Sequence, residues 1–311
     1  MTNTVQSRPA SPHNSHAKGA EKLRAHLAMM LFAALIAGSF SLGGIATQYA
    51  DPTAIQALRY FFNMCLLGGL YLIFVRKPIR LPPQPVRYLA FGGLMGIYML
   101  TMFIALEFTN PVSTGAVFTL MPLISAGFAL VLLRQRTRSG VLLSLVIAAI
   151  GSVWVIFRGD VDALLRFDVG RGEMIYFIGV LCHAMYVPVI RLLDRKDHPL
   201  LFGFWQSVVI FLMLFAIAAP ELWEIDYASL PAIVWITIAY LTIATTALTV
   251  FLLQYASMRL PAPKVLAYGY LTPSYIIVYE GLLGHGWAAA PIFLGALVTA
   301  GGLVVMALLP D

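Results

Sequence analysis

The apolar residues of this chain come in long unbroken blocks rather than in a strand-like or amphipathic alternation. A helix crossing a bilayer needs about 20 apolar residues at 1.5 Å each. Ten blocks meet that need, at 26–48, 53–75, 88–107, 112–133, 140–157, 173–193, 200–219, 232–256, 265–283 and 288–309. The links are short, and four helices open on a proline (Pro52, Pro111, Pro199 and Pro231), which suits a first helical turn. One longer link, "RGDVDALLRFDVGRG" at 158–172, falls midway. Residues 1–25, with "RPASPHNSH", are polar and turn-rich and read as a disordered tail. The apolar run after it is too long for a signal h-region and reads as a retained first helix.

Composition agrees. The chain is 60% hydrophobic and 11% charged, with mean hydropathy +0.85, too little polar surface for a water-soluble domain of 311 residues. Its net charge of +6 raises the question of nucleic acid. The distribution of that charge answers it. With the N-terminus in the cytoplasm, all but four of the 20 Lys and Arg fall on the cytoplasmic side: the tail, then the loops around Arg76–Arg87, Arg134–Arg138, Arg191–Lys196 and Arg259–Lys264. Arg158, Arg166 and Arg171 lie opposite, with Glu221, Glu224 and Asp226, and Arg59 lies in the membrane. This is the positive-inside pattern, and both termini read as cytoplasmic. Cys65 and Cys182 both sit in apolar runs, which argues against a disulfide framework.

Sliding the second half by 151 residues aligns Ala105 with Ala256, Ala116 with Ala267, Leu120 with Leu271, Pro122 with Pro273 and Gly151 with Gly302. A shift of 147 pairs Asp51–Pro52 with His198–Pro199. The fold class expected is an all-α integral membrane protein of ten transmembrane helices, built as two five-helix units at 26–157 and 173–311 around the periplasmic linker 158–172. An odd number of helices per unit turns the second upside down, and inverted repeats of this kind mark transporters.

The residues now become specific. "AGSF" at Ala37–Phe40, "DPTAIQALRYFF" at Asp51–Phe62, "TLMPLISAGFALVLL" at Thr119–Leu133 and "YLTPSYIIVYEGLLG" at Tyr270–Gly284 resemble the EamA-domain branch of the drug/metabolite transporter superfamily. The resemblance covers nearly everything after residue 25. It implies ten helices, alternating access and metabolite export from a bacterial inner membrane. In aromatic content the chain is similar to the bacterial exporters of aromatic amino acids. It departs where the family ends its fourth and ninth helices with Leu-Gly-Glu: here stand Leu133-Arg134-Gln135 and Leu283-Gly284-His285. No mechanism that uses those acids carries over.

Several residues could carry the function. Pro122 and Pro273 interrupt their helices near the middle, and matched breaks point to a midplane substrate site. Proline is also common in membrane helices. Arg59 lies about 10 Å deep, where a lone charge costs a few kcal/mol. It either clasps a substrate carboxylate or braces helices through Glu107 or free carbonyls. His183, about 15 Å into its helix, is either a proton relay or a neutral donor to a carbonyl. Tyr186 lies one turn on and matches Ser39 by the shift of 147, so both inner faces meet near the pseudo-axis. Tyr98 and Met102 are four apart and wall the cavity. Lys264, Tyr268, Tyr275 and Tyr279 form one helical stripe, and Lys264 either attracts a carboxylate or snorkels to the headgroups. Glu280, near the outer face, is a coupling-proton site or a paired interfacial carboxylate. Thr242, Thr245, Thr246 and Thr249 suit interhelical bonds, and Gly92 and Gly96 suit close helix packing.

No phosphate-binding loop, metal motif or cofactor motif is present, and few cations stand ready to neutralise a phosphate. The function expected is export of small metabolites, aromatic or hydrophobic amino acids foremost, by a monomer whose partners are its solute and the bilayer. Two alternatives stand beside it. One is a multidrug exporter of lipophilic cations, which needs an acid in the cavity. The other is an intramembrane enzyme built on a pair such as Cys182 and His183.

Overall fold

The computed structural model describes residues 19–82, 84–193, 197–260 and 262–308. Residues 1–18 of the expected tail and 309–311 of the expected second unit therefore lie outside the described residues. Among these, the regular elements are all helical. α1 (Ala20–Ala46), α2 (Pro52–Leu70, extended by a π-turn at Tyr71–Val75) and α3 (Val86–Ala105) come first. The next crossing is split into α4 (Pro111–Phe118) and α5 (Met121–Leu133), and α6 (Ser139–Ile156) follows. The midway link carries a short helix, α7 (Val161–Arg166). Then come α8 (Arg171–Leu193), α9 (Pro199–Glu224), α10 (Ala232–Thr242), a π-turn at Ile243–Leu248 and α11 (Thr249–Ser257). α12 (Ala262–Ala267), a 3-10 turn at Tyr268–Leu271, α13 (Thr272–Leu282) and α14 (Ala290–Leu308) close the chain. Eight helical segments, counting α4–α5 and α10–α11 as one each, are long and apolar enough to cross a membrane. α14 is a ninth apolar helix. The single helix expected over 265–283 is corrected to two short helices joined by a 3-10 turn, because Pro273 lacks the N–H that would continue the ladder.

Local chemistry sets the helix starts. The Asp51 carboxylate accepts from the Thr53 and Ala54 backbone N–H groups ahead of Pro52. His198 Nδ1 does the same for Leu200 N at 3.3 Å ahead of Pro199, and Asn110 does so for Ser113 N at 2.9 Å ahead of Pro111. Starts recur along the chain. Those of α1 and α8, α4 and α12, α5 and α13, and α6 and α14 fall 151 residues apart, and those of α2 and α9 fall 147 apart. Both breaks also place proline at the second position of the helix that follows.

Contacts tie the chain at two ends of the bundle, one of them rich in Lys and Arg. At the basic end Arg87 forms an ion pair with Asp197, whose carboxylate also accepts from Tyr88 Oη at 2.6 Å, and Arg191 donates to Gln135 at 2.9 Å. At the far end the Glu173 carboxylate accepts from Thr109 Oγ1 at 2.5 Å and Ser113 Oγ at 2.6 Å, tying α8 to the α3–α4 link.

The two halves of the bundle are packed differently. From the middle to the far end a large core runs through α1, α2, α3, α4, α6, α8, α10 and α13, with Phe40, Ile55, Phe103, Val117, Tyr176 and Ile276 inside it, and a separate cluster of Ala57, Tyr60, Ile210, Leu214 and Ala218 holds α2 to α9 beside it. Toward the basic end the core separates. Ala25, Met29, Ala256, Leu260 and Tyr268 hold α1 to α11 and the 3-10 turn. Tyr88, Phe91 and Tyr186 hold α3 to α8, and Leu145, Tyr270 and Met306 hold α6 to the 3-10 turn and α14. Between these groups α5 has no fully buried residue, and neither does the π-turn of 243–248. Small residues set the tight crossings. Gly92 and Gly96 lie against Val209 and Met213, so α3 meets α9 closely, and Gly151 lies against Gly295 and Thr299 where α6 meets α14.

Candidate functional site

Arg59 occupies the third turn of α2 and is buried. Its guanidinium donates to Gln56 Oε1 at 3.4 Å, Met99 Sδ at 3.2 Å and Thr245 Oγ1 at 3.2 Å, and lies 5.2 Å from the Tyr60 ring centre. None of these groups is anionic. The expected brace through Glu107 is not formed; Glu107 belongs to the far-end loop near Asp51, where burial and the Asp51 charge raise its pKa above 4.5. Thr245 reaches the arginine from the π-turn. An extra residue per turn shifts the helix face there, a common device at functional sites.

Beside Met99, Tyr98 begins an aromatic group. Its ring stacks on Tyr176 at 5.8 Å, and its hydroxyl oxygen accepts from the Tyr176 hydroxyl at 3.2 Å. The His183 ring lies 4.2 Å from Tyr98 and 6.4 Å from Phe118, and Phe40 closes the group at 5.9 Å from Phe118 and 6.1 Å from Tyr176. Met102 is buried in the same core. His183 Nδ1 has no hydrogen-bond partner, so the carbonyl expected as its neutral acceptor is not met there. Tyr186, 6.1 Å from His183, donates to Gln206 Oε1 at 2.7 Å. Ser39 turns its hydroxyl to Ile36 O of its own helix at 2.6 Å.

The structure thus gathers Tyr98, Met102 and His183 with Tyr176 and Phe118 in mid-bundle, and Arg59 joins them through Met99. It does not keep the expected tyrosine stripe together. Tyr275 and Tyr279 stack at 6.4 Å on α13, and Tyr279 donates to Ala34 O at 3.1 Å. Tyr268, beyond the break, lies 2.6 Å from His26 Nδ1 in the basic-end cluster, and Lys264 at that end is buried rather than extended to the headgroups. Glu280 sits 2.8 Å from His285 Nδ1 at the far end. Of the threonines expected to bond between helices, Thr245 does so by accepting from Arg59, and the hydroxyl donations run within the helix. Thr242, Thr245 and Thr249 each donate to the carbonyl four residues earlier at 2.7–2.8 Å, within their own helix.

Four residues of this region escape a sequence reading made one residue at a time. Gln56 and Asn63 lie on the Arg59 stripe and could be found from their spacing of three and four in an apolar helix. Tyr176 and Glu173 could not, since their partners lie on distant helices. Among the described residues no group of three or more His, Cys, Asp or Glu is placed to hold a metal ion. A groove of about 470 Å³ between α6 and α14 has an apolar lining that includes Ile150, Trp154, Leu294 and Val298, and shares no residue with the group above.

Spanning helices, helix breaks in register and a buried cation beside mid-bundle aromatics define a multi-pass membrane protein with an interior polar site. Residues 23–157 and again 170–308 match the EamA-like transporter family, and the chain belongs to that family. It is 23% identical over 289 residues to the uncharacterized transporter YyaM of Bacillus subtilis (strain 168), a match that spans 90% of this chain and 94% of that one. Among solved structures, one crystal structure, described only as that of a protein, shares the fold with a TM-score of 0.63 at 18% identity, over 94% of this chain and 98% of that one.

Proposed function

We propose that this transporter exports small metabolites, aromatic or hydrophobic amino acids foremost, across a bacterial inner membrane. It works by alternating access, as a monomer of ten crossings in two inverted five-helix units, 26–157 and 173–311, joined by the periplasmic linker 158–172. The observation that carries the solute class is the aromatic group of Tyr98, Tyr176, His183 and Phe118 within and beside the large core in mid-bundle. Aromatic faces with hydroxyl tips suit a solute that is apolar at one end and polar at the other.

The unit division draws support from the helix starts that recur 151 residues apart and from the two separate stretches of family similarity. Alternating access is supported by the unequal packing: a large core joins eight helices toward the far end, while only smaller clusters hold the basic end, where α5 and the 243–248 turn have no fully buried residue. The orientation follows the positive-inside rule, which makes the basic end cytoplasmic. The site is then reached from the cytoplasm, as export requires.

Arg59 disfavours the rival solute class, lipophilic cations, because the buried charge in mid-bundle is itself positive. The test is uptake into proteoliposomes of the purified chain with labelled Phe, Trp, Met, Thr, Lys and a cationic dye. Saturable movement of Phe, Trp or Met, cross-competed and indifferent to the dye, is expected. Movement of the dye alone would establish the rival.

A further inference from the structure

Three side chains on one stripe of α2, at spacings of three and four, are buried and incompletely bonded: Gln56 is 0% exposed, Arg59 4% and Asn63 2%. Gln56 Nε2, Arg59 Nε and Asn63 Oδ1 are all out of contact with solvent and have no hydrogen-bond partner. Three unpartnered polar atoms within two turns of one helix are costly, because each gave up water on folding. Buried groups of this kind are normally satisfied, so this stripe is built for something that arrives.

The polarity of the three atoms says what that is. Gln56 turns its Oε1 to the Arg59 guanidinium at 3.4 Å, which fixes its Nε2 as a donor facing elsewhere. Arg59 Nε is also a donor, and it carries a charge with no anionic partner. Asn63 Oδ1 is an acceptor. The stripe therefore offers two donors and a positive charge, followed about 6 Å along the helix by an acceptor. A carboxylate and an ammonium on one carbon, each reached by a hydrogen bond of about 2.9 Å, span that rise.

We infer that Gln56, Arg59 and Asn63 form a head-group cradle for a zwitterionic α-amino acid. The carboxylate accepts from Arg59 Nε and Gln56 Nε2, and the ammonium donates to Asn63 Oδ1. This deepens the function proposed above and rests on it for the site's place in transport, but the cradle reads only the head group. Arg59 is held ready by Thr245 and Met99, which leave its Nε free. Met99 adjoins Tyr98, so the side chain of the solute meets the aromatic group while its head group lies on α2. Asn63 lies nearer the basic end than Arg59, so the ammonium faces the separated half of the bundle.

The test is equilibrium binding to the purified full chain, with L-Phe, 3-phenylpropionate (no ammonium) and phenylalaninamide (no carboxylate) as competitors of one labelled α-amino acid. Phe, Trp, Met, Thr and Ala are screened first to find that label. Phenylpropionate is expected to bind about tenfold to a hundredfold more weakly than Phe, and phenylalaninamide weaker still, since its neutral carboxamide leaves the Arg59 charge without an anion. Asn63→Ala is expected to abolish the preference for Phe over phenylpropionate while leaving phenylpropionate binding intact, a readout that a misfolded variant cannot give. Equal binding of all three compounds to the wild-type chain would overturn the cradle and leave amino-acid export standing. Strong binding of Thr or Ala with none of Phe or Trp would leave the cradle standing and overturn the preference for aromatic solutes. Binding of no amino acid by folded protein would overturn both.

Discussion

Arg59 and Thr245 meet at 3.2 Å across 186 positions of sequence, at the turn where the α10–α11 helix widens into a π-helix. Thr245 serves two partners at once: it donates to Leu241 O at 2.7 Å and accepts from the guanidinium. The contact joins the second helix of one half of the chain to the corresponding interior of the other. It also leaves the arginine oriented without an anion.

Thr245→Val removes that acceptor and keeps the shape. A buried hydrogen bond to a charged group contributes about 1.5–3 kcal/mol, so the variant is expected to lose stability in that range. Thr245→Ser is expected to stay close to wild type. Thermal unfolding of the three proteins in one detergent checks this, and equal melting of the valine and wild-type proteins would remove Thr245 as the anchor of Arg59.

At the basic end Asp197 holds Arg87 and Tyr88 together, and the Arg87 and Asp197 side chains are only 5% and 14% exposed. Asp197→Ala leaves a buried guanidinium without its charge partner, a loss of about 3–5 kcal/mol. Tyr88→Phe deletes one hydrogen bond and is expected to cost about 1–3 kcal/mol. Denaturant unfolding in mixed micelles should order the proteins wild type, Tyr88→Phe, Asp197→Ala. An Asp197→Ala protein as resistant as the tyrosine variant would mean that the ion pair contributes little.

Stability should also respond to pH through Glu107. Burial first, and the Asp51 charge second, raise its pKa above 4.5 in the folded chain. A raised carboxyl favours the protonated form in the folded state, so its contribution is present below pH 4.5 and is lost as pH rises through the folded value. Glu107→Gln, which stays neutral, is expected to flatten the melting curve against pH in the window just above 4.5. Parallel curves for the two proteins would discard this account.

Much of the architecture is legible in the apolar blocks, because a bilayer forces each crossing to declare itself as a long apolar run. The expected starts at 140 and 200 and the observed Ser139 and Pro199 each differ by one residue. The helix breaks were legible only as Pro122 and Pro273; that the second is a 3-10 turn separating Tyr268 from Tyr275 depends on how α12 meets its neighbours. Arg59 announced itself as a charge in oil. Its setting did not, since a π-turn in the 232–257 helix has no composition signal, and the Tyr98–Tyr176–His183 group joins residues of α3 and α8. Periodicity says which residues share a helix face, not which face of another helix receives them.

The matched prolines give the last test. Proline in a helix interior costs about 3 kcal/mol, but at the second position of α5 and α13 it loses no bond and instead forbids the two short helices from fusing into one. Pro122→Ala and Pro273→Ala therefore change the folded chain little, by about 1 kcal/mol or less, while removing the bar to a continuous helix. If the breaks let each half bend between the two faces of the membrane, either alanine should slow turnover in proteoliposomes severalfold with melting temperature nearly unchanged, and the double variant should slow it further. Turnover at the wild-type rate in the double variant would show that the breaks are packing features, and that whatever motion carries the solute passes through other joints of the bundle.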